Sequence, residues 1–138
     1  MEKNFKNART LSFALEKTGH FDVVSDIHRP KGVYEHHHKH DEVAQDGVEY
    51  NPGSPCVAFK LTDKFREQNP GVRQSAVSKM MRMRGWVVPN YALPRGQEHV
   101  EAMRIVVRES LSREMLTTLI EDLTWTATLL SGESTNIL

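Results

Sequence analysis

Apolar residues recur at helical spacing from the start of the chain. Phe5, Ala8, Leu11 and Leu15 share one side of a helix predicted over Lys3 to Thr18. Gly19, just past Lys17, supplies a stop, because glycine tolerates the left-handed turn that ends helices. "FDVVSDI", Phe21 to Ile27, then reads as a short strand. Strict alternation returns in "PCVAFKL", with Val57, Phe59 and Leu61 toward one side and Cys56, Ala58 and Lys60 toward the other. "DKFREQNPGVRQ" reads as a polar crossing. The next helix is predicted over Ser75 to Arg84, with Val77, Met80 and Met81 on its apolar flank and Gly85 ending it. "WVV", Trp86 to Val88, opens a further strand, and Pro89 and Pro94 force an extended or turning path after it. "EAMRIVV" is the clearest strand. Met103, Ile105 and Val107 take one face, and Arg104, Val106 and Arg108 the other. "SLSREMLTTLIEDLTWTATLL" closes the pattern as an amphipathic helix, with Leu116, Leu119, Ile120, Leu123 and Leu130 as its buried stripe. Ser112 is its N-cap and Glu114 sits favourably in the first turn. No internal repeat is visible. This order predicts an α+β fold, with helices covering a small, mainly antiparallel sheet.

Composition narrows the class. A chain of 138 residues is most simply one domain, long enough for a real core. With 38% hydrophobic and 26% charged residues it reads as soluble and globular, and a formal net charge of zero advertises no nucleic-acid or membrane surface. No apolar run approaches the roughly 20 residues of a membrane helix, and "MEKNFKNART" has no apolar signal core. One cysteine, Cys56, excludes an internal disulfide framework and fits a reducing compartment, so a cytoplasmic protein is expected.

Between His28 and Pro55 core formers thin out, and "EHHHKHDE" stands out. Imidazoles bind zinc, copper or nickel, but the consecutive His36, His37 and His38 do not by themselves build a tetrahedral site. The run is read as a solvated loop, with metal binding through these residues and His40 as the weaker alternative. Lys39 ends a His-Lys pair of the kind that carries pyridoxal phosphate, yet its charged surroundings argue against that role. Cys56 has no histidine at a motif-like spacing and reads as a buried structural thiol. There is no Gly-rich phosphate loop before a helix. Arg104 is more telling, since a guanidinium on a rigid strand can grip a carboxylate through two parallel hydrogen bonds. From pattern alone, an ion pair with Glu101 or Glu109 remains the simpler reading.

Taken in order, "NARTLSFALEKTGHFDVVSDIH", "SPCVAFKL", "RGWVVPNYALP", "HVEAMRIVVRE" and the helix opening "SREM" resemble the C-terminal region of the pyridoxal-phosphate-dependent glutamate decarboxylases. The resemblance spans nearly the whole chain except a His-rich stretch near 32–50 and the tail beyond Leu130. It implies residues 1–130 as the small C-terminal domain of a type I pyridoxal-phosphate enzyme, with residues 131–138 as a polar tail. It also implies decarboxylation of L-glutamate to 4-aminobutanoate and carbon dioxide, the cofactor ring serving as electron sink. The family arginine that matches Arg104 holds a substrate carboxylate.

In the intact enzymes, the cofactor lysine and the other cofactor-binding groups precede this region. The resemblance therefore places no catalytic, cofactor-binding or metal residue in the chain and leaves Arg104 as the substrate-binding one. It implies a C-terminal fragment, inactive alone, that works beside a large cofactor-binding domain in a homo-oligomer. A non-catalytic module that joins full-length subunits is the competing expectation. Plant members carry a basic, Trp-containing calmodulin-binding tail. Here Trp125 is present but no Lys or Arg follows Arg113, which argues against calmodulin and for Trp125 as a packing residue.

Overall fold

The computed structural model describes residues 2–25, 28–30, 55–92 and 101–132. Its elements are α1 (Glu2–Lys17), β1 (Phe21–Val23), β2 (Cys56–Leu61), α2 (Asp63–Gln68), α3 (Ser75–Met83), β3 (Asn90–Ala92), β4 (Glu101–Val106) and α4 (Arg113–Leu130). The four strands form one sheet in the order β1-β2-β4-β3, every neighbouring pair antiparallel. This is the small antiparallel α+β architecture that the pattern predicts. The His-rich stretch and residues 133–138 lie outside the described residues, and so does any metal site built on His36, His37, His38 or His40.

One face of the sheet carries the core. Val57, Phe59, Leu61, Phe21, Val23, Met103 and Ile105 are buried there together with Ala8, Leu11 and Leu15 of α1 and Leu116, Leu119 and Leu123 of α4. Phe21 and Phe59 meet edge to face, centroids 5.4 Å apart, the arrangement that the ring quadrupole favours. Each such side chain contributes roughly 1.5–3 kcal/mol by leaving water. Gly19 (φ 78°) and Gly85 (φ 90°) end α1 and α3 in the left-handed region, as their positions foretell.

Four local expectations are corrected. The first strand stops at Val23, because Val24 and Ser25 both aim their N–H groups at the carbonyl of Ala58 (2.8 and 3.4 Å), while Ser25 Oγ accepts from the Ala58 N–H. Two residues opposing one end the regular ladder. The polar crossing contains a helix, α2, because Thr62 caps it by accepting from the Phe65 N–H at 3.0 Å and Phe65 is buried. Trp86 to Val88 join no ladder, since the Trp86 indole is turned toward α4. Pairing begins only at Asn90, after Pro89, which has no N–H to give. Trp125, expected as a packing residue, is 43% exposed and packs one face only, against the Arg84 guanidinium 3.8 Å from its ring centroid.

Candidate functional site

The face of the sheet opposite the helices carries the reactive side chains. Register places Asp22 across from Lys60, Ala58 across from Arg104, Cys56 across from Val106 and Tyr91 across from Ala102. Arg104 sits on β4, between β2 and β3, so its backbone is held from both sides. Its N–H donates to the Pro89 carbonyl at 3.1 Å. The side chain is exposed and makes no ion pair among the described residues. The pairing with Glu101 or Glu109 that the pattern allowed is not observed. Instead the guanidinium carbon lies 5.5 Å from the ring centroid of Tyr91, a cation–π contact across the diagonal of the β3–β4 pair.

Cys56 shares this neighbourhood. It is half-buried rather than buried; burial pushes its thiol up, and the positive charge of Arg104 pulls partly the other way. Val106, 51% exposed, continues the face into a groove of about 220 Å³ lined by Val87, Val106, Arg108, Met115 and Leu119. Val87 (75%) and Met115 (46%) are also exposed, so the groove that Val106 adjoins has an apolar rim. A larger depression of about 780 Å³ is lined by two cations, Arg66 and Arg73, and three anions, Asp63, Glu67 and Glu101, so its positive charge is more than offset. The Arg104 face is the better ligand site, because it presents a cation without an ion pair among the described residues, beside the exposed Val106, and such an environment strengthens a bond to an anion.

Two buried polar clusters escaped the sequence pattern. On α4, Asp122 accepts from the Trp86 indole N–H at 2.8 Å and from Arg84 Nη1 at 3.0 Å. It falls among Leu119 and Leu123 of the apolar stripe, and a carboxylate at that spacing was the available signal. Near α1, Nε2 of the buried His28 lies 2.7 Å from Glu16 Oε1 and also meets Arg29 Nη1, while Arg29 Nη2 donates to Glu16 Oε2 at 3.0 Å and to the Val23 carbonyl at 3.1 Å. No local sequence signal marks that cluster, because its partners meet only after folding.

Pyridoxal phosphate, which the resemblance implies, needs an amine for its aldehyde and a cradle of donors for its phosphate. Lys60 is the lysine on the Arg104 face, and it stands across from Asp22. Main-chain N–H groups there are engaged in the ladder. The described residues do not fit the cofactor. What this face can do is bind and orient an anion. Among the described residues no group of His, Cys, Asp and Glu could hold a metal ion, and no helix is long and apolar enough to cross a membrane.

No family model matches the chain. Over 130 residues it is 37% identical to a glutamate decarboxylase of Saccharomyces cerevisiae, a match covering 84% of this chain and 21% of the yeast protein. A glutamate decarboxylase of Petunia hybrida is 32% identical over 123 residues, covering 89% of this chain and 19% of its own. Among solved structures, the glutamate decarboxylase of Lactobacillus brevis superposes with a TM-score of 0.68 at 29% identity, over 94% of this chain and 23% of that one. The chain therefore spans about a fifth of the length of the relatives it matches.

Proposed function

Because the chain belongs to the glutamate decarboxylase family over the fifth or so of those proteins that it spans, we propose that it serves as the small C-terminal domain of such an enzyme. The observation that carries this is Arg104, an exposed arginine without an ion partner among the described residues, on a strand held from both sides. The intact enzyme converts L-glutamate to 4-aminobutanoate and carbon dioxide. Pyridoxal phosphate, bound outside the described residues, supplies the electron sink for that reaction. Arg104 holds a carboxylate of L-glutamate through charge-assisted, paired hydrogen bonds. Its rigid strand fixes the angle at which the substrate is presented, which is the share of the barrier that positioning can lower.

Residues 1–130 are taken as the domain; the stretch near 32–50 and residues 133–138 lie outside the described residues, while Ser131 and Gly132 close the last turn of α4. Its partners are L-glutamate, the large cofactor-binding domain and further copies of the subunit. The exposed Val106 on the Arg104 face, and the groove edged by the exposed Val87 and Met115 that it adjoins, support a surface that more protein covers. The single cysteine supports a cytoplasmic setting.

The test is purification of the native product from its own cells, using an antibody raised against this chain, with an assay for carbon dioxide release from L-glutamate. A subunit several times heavier than 15.8 kDa, with activity, is expected, whereas the isolated 138-residue chain releases none. An inactive native species of 15.8 kDa would overturn the proposal in favour of a non-catalytic module.

A further inference from the structure

Strand β3 has three residues and, among the described residues, one neighbouring strand, so that ladder alone holds it weakly. Yet it carries Tyr91, the ring that meets the Arg104 guanidinium. What fixes this edge strand comes from α3. Gln74 occupies the N-cap position of that helix but makes no capping bond with its side chain. Its amide is given to the sheet instead. Oε1 accepts the Leu61 N–H at 2.9 Å, and Nε2 donates both to Asn90 Oδ1 and to the Glu101 carbonyl, each at 2.9 Å. Asn90 Nδ2 in turn donates to Glu101 Oε2 at 3.0 Å. One side chain thus ties β2, β3 and β4 together where β3 begins. The task needs an acceptor and two donors on a single planar group, which a carboxylate or a hydroxyl does not offer.

We propose that Gln74 is a positioning residue for Arg104: by clamping Asn90 it sets the register of β3, holds Tyr91 beside the guanidinium, and so fixes where the cation is presented to an anionic ligand. As a device for substrate orientation it rests on the reading of Arg104 given above. The chain of contacts is continuous, from Gln74 to Asn90, to the adjacent Tyr91, to Arg104. Register fixes the last step, because Tyr91 opposes Ala102 and Arg104 lies two residues further along the same face.

The experiment is side-chain NMR of Arg104 in the ligand-free 138-residue chain, at a dilution where it is monomeric. The Tyr91 ring displaces the δ-methylene and Nε–H signals of Arg104 from their unstructured positions. Tyr91→Leu removes that displacement and Tyr91→Phe keeps it. The expected result is that Gln74→Ala removes it too, while the methyl signals of Leu11 and Leu123 stay in place. Should Gln74→Ala unfold the chain, Gln74→Glu gives the same reading, since it keeps the acceptor for Leu61 and loses the donors to Asn90 and Glu101. A displacement that survives in a folded Gln74 variant overturns the positioning role, as does one that survives Tyr91→Leu. Because the readout is ligand-free, failure here is distinct from failure of Arg104 as the substrate group, which only turnover reports.

Discussion

Arg104 differs from a solvated surface cation in the company it keeps: an aromatic ring, a half-buried thiol and an exposed valine on the same sheet face. The thiol is a built-in reporter. Burial pushes Cys56 up and Arg104 opposes that shift. A thiol reacts as its thiolate, so a raised pKa lowers the reactive fraction at any given pH. Iodoacetamide should therefore modify Cys56 more slowly than a free thiol near pH 8. Arg104→Met, by removing the opposing charge, should move the pH–rate profile further to alkaline values; an unchanged profile would separate the two residues. Asp122 makes a second residue-scale case. It is 9% exposed and takes two hydrogen bonds, but its partner Arg84 is 41% exposed and so partly screened by solvent, which leaves the larger share of the loss on the Trp86 indole. Asp122→Ala should cost about 1.5–3 kcal/mol in urea unfolding, and Asp122→Asn less, since its amide oxygen still accepts from the indole.

At the scale of elements, the helix ends make sharp predictions. Ser112 caps α4 by accepting the Met115 N–H at 3.1 Å, and Ser112→Ala should lower stability by about 1 kcal/mol. Gly85→Ala meets no atom within 4 Å, so its cost, on the order of 1 kcal/mol, comes from the backbone at φ 90° alone. Thermal melts of both variants check these values. Both features were legible in sequence because caps and stops are local chemistry. Alternation likewise marked β2 and β4 and the opposite faces of Met103 and Arg104. What could not be read was long-range. Thr62 turns a polar crossing into α2 with one hydrogen bond. Trp86 leaves the sheet for a carboxylate on α4, and Gln74 forgoes its cap for three strands. The position of Arg104 on an exposed face was foreseen, whereas Tyr91 and Cys56 as its neighbours depended on register across three strands.

For the whole molecule, the helices and one sheet face close a core, while the other face keeps a cation beside the exposed Val106. Such a face is understandable in a chain that matches about a fifth of its relatives' length. Isolated, it should self-associate. Val106→Lys combined with Met115→Lys should reduce that association in sedimentation velocity while leaving the melting transition nearly unchanged, because both residues are about half exposed. The decisive measurement is kcat/KM for L-glutamate of the intact enzyme proposed above, with Arg104 replaced by methionine. Loss of charge-assisted hydrogen bonds worth roughly 2–3 kcal/mol predicts a fall of about 30- to 150-fold. Arg104→Lys should recover only part of it, since an ammonium keeps the charge but not the paired geometry. A kcat/KM for Arg104→Met within a few-fold of the unmodified enzyme would contradict Arg104 as the group that holds the substrate carboxylate.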